Sequence, residues 1–249
     1  HIPVDLSLAF HSDAGTTMND SIIGTLGIYY THKDDGLYPN GASRDLSRDL
    51  TDLVQSQIVS DIQALYEPEW SRRGMWDKAY FEAHVPEVPA MLLELLSHQN
   101  FADMRYGLDP RFRFTVSRAI YKGILRFLAF QYKQDCVVQP LPVDHFRIAF
   151  AGRDSVELNW QPVADPLEPT AQAGRYVLYT RIGDGGFDNG VPVAENRIKL
   201  YQQPGKIYSY KVTALNRGGE SFPSEILSAC RVPDEKGTVL VINGFDRIS

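Results

Sequence analysis

Pro89-Ala-Met-Leu-Leu-Glu-Leu-Leu-Ser-His-Gln-Asn100 is the stretch that decides how the first half of this chain folds. Aliphatic residues close around one carboxylate, Glu94, and a polar run follows at once. An apolar run this short, entered through Pro and left through Ser-His-Gln-Asn, reads as a strand buried on both faces. A carboxylate inside such a strand carries a desolvation cost unless it has a partner or a task. In an α/β fold that task belongs at the carboxyl edge of the sheet, where sites collect. Val4-Asp-Leu-Ser-Leu-Ala-Phe10, followed by His11-Ser-Asp-Ala-Gly15, has the same shape. One buried strand carrying Glu94 and another ending in His11 form the pair on which the functional reading rests.

The whole chain bounds what that pair can do. It has 249 residues and a formal net charge of −6, enough length for two modest domains. The negative balance argues against an electrostatic grip on nucleic acid, and no apolar stretch approaches a membrane span. Cys136 and Cys230 lie far apart without metal-ligand spacing and read as small buried hydrophobes. The chain starts at His1 without a lead-in, and it stops just after Gly237-Thr-Val-Leu-Val-Ile-Asn-Gly244, which looks like an opening strand. Both ends are therefore expected to be cuts in a longer polypeptide.

Working outward from Glu94, residues 4–10 read as a strand, 11–24 as a polar loop, and 24–31 as a second strand. Asn40 or Ser43 can cap a helix over about 43–65. Its Leu46, Leu50, Leu53, Val54, Ile58, Ile62 and Leu65 follow the helical period and make one buried stripe. A short strand is expected near 77–83. Asp109-Pro110 starts a helix running to about Tyr132. Strands alternating with amphipathic helices make residues 1–136 an α/β layered domain.

The pattern changes after the linker 137–142, which carries two prolines and no periodicity. Ser155–Trp160 alternates polar and apolar, and further strands follow at Arg175–Thr180, Arg197–Leu200 and Ile207–Leu215. That is an all-β antiparallel sandwich over 143–233, with 234–249 opening a further segment. Val156-x-Leu-x-Trp160, Tyr176 with Tyr179, Pro204-Gly205 and Tyr208-x-Tyr-x-Val-x-Ala-x-Asn216 resemble a fibronectin type III module. By that resemblance Trp160 is the core tryptophan and Tyr208 the corner tyrosine, and the module is a spacer or docking unit.

In the first domain Phe10-His-Ser-Asp-Ala14, a strand from Gly24 or Gly27 to Tyr30, Ser43-Arg-Asp-Leu46 or Ser47-Arg-Asp-Leu50, Pro89-Ala-Met-Leu-Leu-Glu94 with Asn100, and Arg118-Ala-Ile-Tyr-Lys-Gly-Ile124 follow one another. In that order they resemble the C-terminal part of the zinc-dependent N-acetylmuramoyl-L-alanine amidases; Leu96 to Gln99 depart from the family pattern. The resemblance implies His11 as a zinc ligand and Glu94 as the catalytic base, working outside the cytoplasm on peptidoglycan or another bacterial polysaccharide. The family's other two ligands lie N-terminal to this strand, so the metal site is at most half present here. Asp13, Asn100 and Trp76 are the candidate substrate contacts.

Competing readings come from the same residues. A hydrogen-bonded or surface role is the plainer account of His32, His84 and His98, and a buried pairing with Arg105 or Arg118 is the plainer account of Glu94. Trp70 and Trp76 can stack on sugars or pack onto the sheet. At the level of the whole chain, a non-catalytic glycan-binding module with a degenerate amidase fold is the main alternative. A polysaccharide lyase is another, since amidase-like domains beside fibronectin type III modules occur in bacterial proteins with xanthan-lyase-type names.

Overall fold

The computed structural model describes residues 4–242. Its contacts divide the chain into two compact units, His1–Cys136 and Val137–Ser249. In the first unit, β1 (Ser7–Asp13), β2 (Leu26–Tyr29), β3 (Trp76–Asp77) and β4 (Ala90–Ser97) form one sheet in the order β1-β4-β2-β3. β1 runs parallel to β4, β2 antiparallel to β4, and β3 parallel to β2.

The two long helices, α1 (Asp45–Leu65) and α4 (Pro110–Tyr132), cover one face of this sheet. Leu50, Val54, Ile58 and Ile62 of α1 are fully buried with Met91 and Leu93 of β4 and Phe112, Val116 and Phe127 of α4. The expected stripe holds at these four positions and in part at Leu46 and Leu53, with the period of 3.6 residues as its cause, but Leu65 at the helix end is 49% exposed. Ser43 Oγ accepts the Asp45 N–H at the start of α1, and Asp109 accepts the Arg111 N–H at the start of α4. Two glycines set how closely layers approach: a Cβ on Gly27 would stand 2.3 Å from Thr51 Cγ2, and one on Gly123 would stand 2.7 Å from Val54 Cα. Between the two helices Lys122 Nζ lies 2.6 Å from Asp61 Oδ2, with side chains only 1% and 5% exposed.

On the opposite face, Ala9, Leu26, Ile28 and Leu92 form a second small cluster. Against that face lies α2 (Phe81–His84), a single helical turn with Ala83 fully buried. A strand near 77–83 does not form. The pairing stops at Asp77, and the chain turns helical after Tyr80, whose own backbone is extended. The first strand is also displaced from 4–10 to Ser7–Asp13, and Phe10, His11 and Ser12 are exposed. It is the edge strand of the sheet among the described residues, so burial on both faces, which a central parallel strand enjoys, is not available to it. An additional helix, α3 (Phe101–Gly107), follows β4 directly.

In the second unit, β5 (Asp144–Phe150), β6 (Ser155–Gln161) and β9 (Arg197–Tyr201) form one antiparallel sheet. The other holds β7 (Arg175–Ile182), β8 (Val191–Val193), β10 (Tyr208–Asn216), β11 (Gly219–Glu220) and β12 (Leu227–Ala229), with both β11 and β12 pairing to β10. The two sheets enclose Val156, Leu158, Trp160, Tyr176, Leu178, Tyr210 and Val212. Tyr208 Oη accepts the Gln203 N–H, five residues upstream, closing a tyrosine corner. Cys136 and Cys230 are half-buried rather than buried. Residues 237–242 take no strand pairing, and Val239 to Ile242 stand exposed; the remainder of the expected strand, 243–244, lies outside the described residues.

Candidate functional site

Glu94 sits in the middle of β4, where strand alternation sends Met91 and Leu93 to the helices and Leu92 and Glu94 to the other face. Its Cα partner on β1 is His11, and its partner on β2 is Leu26. Residues in direct register share a face, as Ala9 and Leu92 do in the small cluster. His11 and Glu94 therefore open onto the same side of the sheet from adjacent strands, which stand about 4.8 Å apart.

The surroundings of the pair are charged. Glu82, on α2, brings Oε1 to 3.4 Å from His11 Nε2. Arg73 NH1 lies 2.6 Å from Asp13 Oδ2, and its guanidinium carbon is 5.7 Å from the centroid of the Trp76 ring. His98 Nδ1 is 3.1 Å from Ser12 Oγ. Burial raises the Glu94 pKa above the ordinary glutamate range and the neighbouring Asp13 charge adds to the effect, against the opposing pull of His11, Arg73 and His98. Glu94 Oε2 is buried without a hydrogen-bond partner among the described residues. Asp13 moves the other way, its pKa lowered chiefly by the Arg73 hydrogen bond, with burial opposing. Two neighbouring carboxyl groups are thus pushed apart in acidity, one toward holding its proton and one toward losing it, the separation that acid–base sites use.

The expected pairing of Glu94 with Arg105 needs correction. Arg105 is engaged with Tyr106 and, at 3.8 Å, with Glu67, and the groups that oppose the raised Glu94 pKa are His11, Arg73 and His98. Trp70 is no sugar platform: it is 1% exposed, donates its indole N–H to Thr25 Oγ1 and meets Tyr106 and Phe112 edge-on or tilted. Trp76 is 41% exposed. Asn100 is 2% exposed and caps α3, accepting from Asp103 N while donating to Ser21 O and Thr17 Oγ1. Its groups are occupied by the protein itself.

Three residues that the sequence reading gave no role belong to this region. Two of them are Arg73 and Glu82; their place depends on loops and a single helical turn that carry no periodic signal. The third is Asp103, fully buried, which accepts from the backbone N–H groups of Ile23, Gly24 and Ser97 at 2.9, 3.3 and 2.9 Å. It ties the loop after β1 and the start of β2 to the end of β4. The spacing Asn100-x-x-Asp103 after an apolar run is a capping signal that could have revealed α3.

A catalytic zinc ion takes three protein ligands and keeps one open position. Among the described residues, no group of three His, Cys, Asp or Glu side chains is arranged to hold a metal ion. His11 has Glu82 and Glu94 near it, but these residues alone do not fit a resident zinc. His32, with Nε2 3.3 Å from Asp77 Oδ2, and His84, stacked edge-on with Tyr30, are engaged elsewhere.

No protein-family model matches the chain, and no curated protein matches it. Solved structures similar over part of it include the twitchin kinase region from C. elegans (Fn31-NL-kin-CRD-Ig26). It is 21% identical over 40% of this chain and 18% of its own length, with a TM-score of 0.35. The FN1–FN3 domains of chicken CNTN1 are 15% identical over 40% of this chain and 34% of theirs, with a TM-score of 0.34. The structure titled FN3tt mut is 17% identical over 36% of this chain and 94% of its own, at 0.31. This chain therefore spans less than a fifth of the first of these structures. At such TM-scores the likeness carries no argument, and the fold of the second unit stands on its own strand pairing. Its two antiparallel sheets, buried Trp160 and tyrosine corner at Tyr208 make it a two-sheet β-sandwich.

Proposed function

We propose that the first unit is an amidase-type hydrolase module of an extracytoplasmic, cell-wall-directed protein. Its substrate in this reading is the amide joining the muramoyl lactyl group to L-alanine in peptidoglycan, and the sandwich is its spacer. Glu94 is the proton-transfer group: as carboxylate it takes a proton from the attacking water, and as acid it returns that proton to the leaving amine. His11 lies beside it, braced by Glu82. The observation that carries this reading is the shared register of His11 and Glu94, with the Glu94 acidity weakened by burial.

Glu94→Gln keeps the shape and removes the proton carrier, so amide hydrolysis should fall by about 10²–10⁴-fold with the circular dichroism spectrum unchanged. Undiminished turnover of muramoyl-peptide by that variant would dispose of the reading. A second reading, a glycan-binding module without catalysis, is favoured by the lack of a ligand trio among the described residues. Activity separates the two: release of the stem peptide from muramoyl-peptide supports the hydrolase, and inactive protein that still binds glycan supports the binder.

A further inference from the structure

We propose that Trp76, Arg73 and Asp13 form a sugar-binding subsite on the Glu94 face of the first unit. This rests on the reading of that face as glycan-facing, whether or not it is catalytic. The register places the ring: Leu26 is opposite Glu94, Ile28 is opposite Leu92, and Ile28 is the Cα partner of Trp76. Trp76 therefore projects from the same side of the sheet as Glu94. Of the three tryptophans, Trp70 and Trp160 are 1% and 2% exposed, while Trp76 is 41% exposed.

The polar edge of the subsite is built, not incidental. The Arg73 backbone is held at both ends, its N–H donating to Thr25 O and its carbonyl accepting from Gln55 Nε2. Its guanidinium then spans from the Trp76 ring to Asp13, where the half-buried carboxylate is fixed at 2.6 Å. An ion pair of this kind offers donors and an acceptor side by side, which suits the neighbouring hydroxyls of a pyranose. An indole face next to them suits the apolar C–H face of the same ring. Phosphate-bearing ligands are disfavoured, because the guanidinium is already paired with Asp13 and Glu94 lies within its field. The subsite thus selects an uncharged sugar ring of a glycan chain.

The test uses the β-1,4-linked N-acetylglucosamine tetramer as probe. Acrylamide reaches Trp76 but not the two buried indoles, so quenching of tryptophan emission reports this ring alone. Saturating tetramer should abolish most of the quenchable emission in the unaltered protein, and equally in Glu94→Gln. The protection should be lost in Arg73→Gln, and Trp76→Ala should show no binding heat in calorimetry while keeping its helical circular dichroism. Absence of protection by about 10 mM tetramer, a concentration far above weak glycan dissociation constants near 1 mM, would overturn the subsite. So would protection that survives Arg73→Gln. Because Glu94→Gln retains the subsite, loss of the hydrolase reading leaves this result standing, and the reverse holds too.

Discussion

Replacing Lys122 by Met tests whether the α1–α4 interface depends on a completed ion pair. Lys122 Nζ and Asp61 Oδ2 are 2.6 Å apart, with side chains 1% and 5% exposed. At an effective dielectric constant near 20 their attraction is about 6 kcal/mol, which the desolvation of two ions, several kcal/mol each, largely cancels. The intact pair therefore contributes little net stability. Losing one member is another matter, because Asp61 then keeps a buried carboxylate without the Lys122 ammonium beside it. The expected cost is about 3–5 kcal/mol. With a urea slope of about 1–3 kcal/mol per molar, the midpoint should fall by about 2 M. All described helices lie in the first unit, so ellipticity at 222 nm follows that unit's transition. The double variant Lys122→Met with Asp61→Leu should recover most of the loss, since an apolar pair of similar volume needs no compensation. A single-variant cost below about 1 kcal/mol would refute the argument, because it would mean that water reaches the pair.

Four further outcomes follow from the geometry. The raised Glu94 pKa means that the folded state binds a proton more tightly than the unfolded chain. Stability from Glu94 is thus full below pH 4.5 and lost as pH rises through the folded pKa, whereas the Asp13 contribution is present above pH 3.8 and lost on acidification. Glu94→Gln should remove the first slope, read by urea titrations across pH, and leave the second. Asp103→Ala should destabilise the first unit by about 3 kcal/mol, leaving three backbone N–H groups unpaired, and should abolish exchange protection at Ile23 and Gly24. Gly24→Ala should cost more than about 1 kcal/mol, because the backbone there has φ of +81° and a Cβ would stand 2.1 Å from Ser71 O. Tyr208→Phe should cost the second unit about 1 kcal/mol by removing the acceptor for Gln203 N–H, without changing the 222 nm signal.

How far the sequence could be read depended on the length of each periodic signal. The stripe over 45–65, the Asp109-Pro110 start and the Glu94 strand each repeat one choice many times, and each stands close to where the pattern put it. The sandwich strands at 155, 175, 197 and 208 were legible for the same reason, while Val191–Val193 and the split final strand were too short. The aromatic run at 76–84 misled, since two paired residues and one helical turn look alike in a list of rings. At the site, the His11–Glu94 pairing could be anticipated because strand alternation fixes a face. Arg73 and Glu82 could not, for both arrive from connections whose course is decided by tertiary contacts such as Gln55 to Arg73 O. Asn100 shows a different failure: a motif residue read for chemistry is buried as a helix cap.

The absent side chain of Gly123 reaches further than the helix that carries it. Val54 Cα, on α1, would sit 2.7 Å from a methyl there, and the next residue of α1, Gln55, grips the carbonyl of Arg73. A bulkier residue at 123 would shove that rod sideways and drag the guanidinium with it. A random screen for weakened ligand capture should consequently return hits along this remote seam as well as around the acid itself, and such hits would mark a lever rather than a second site.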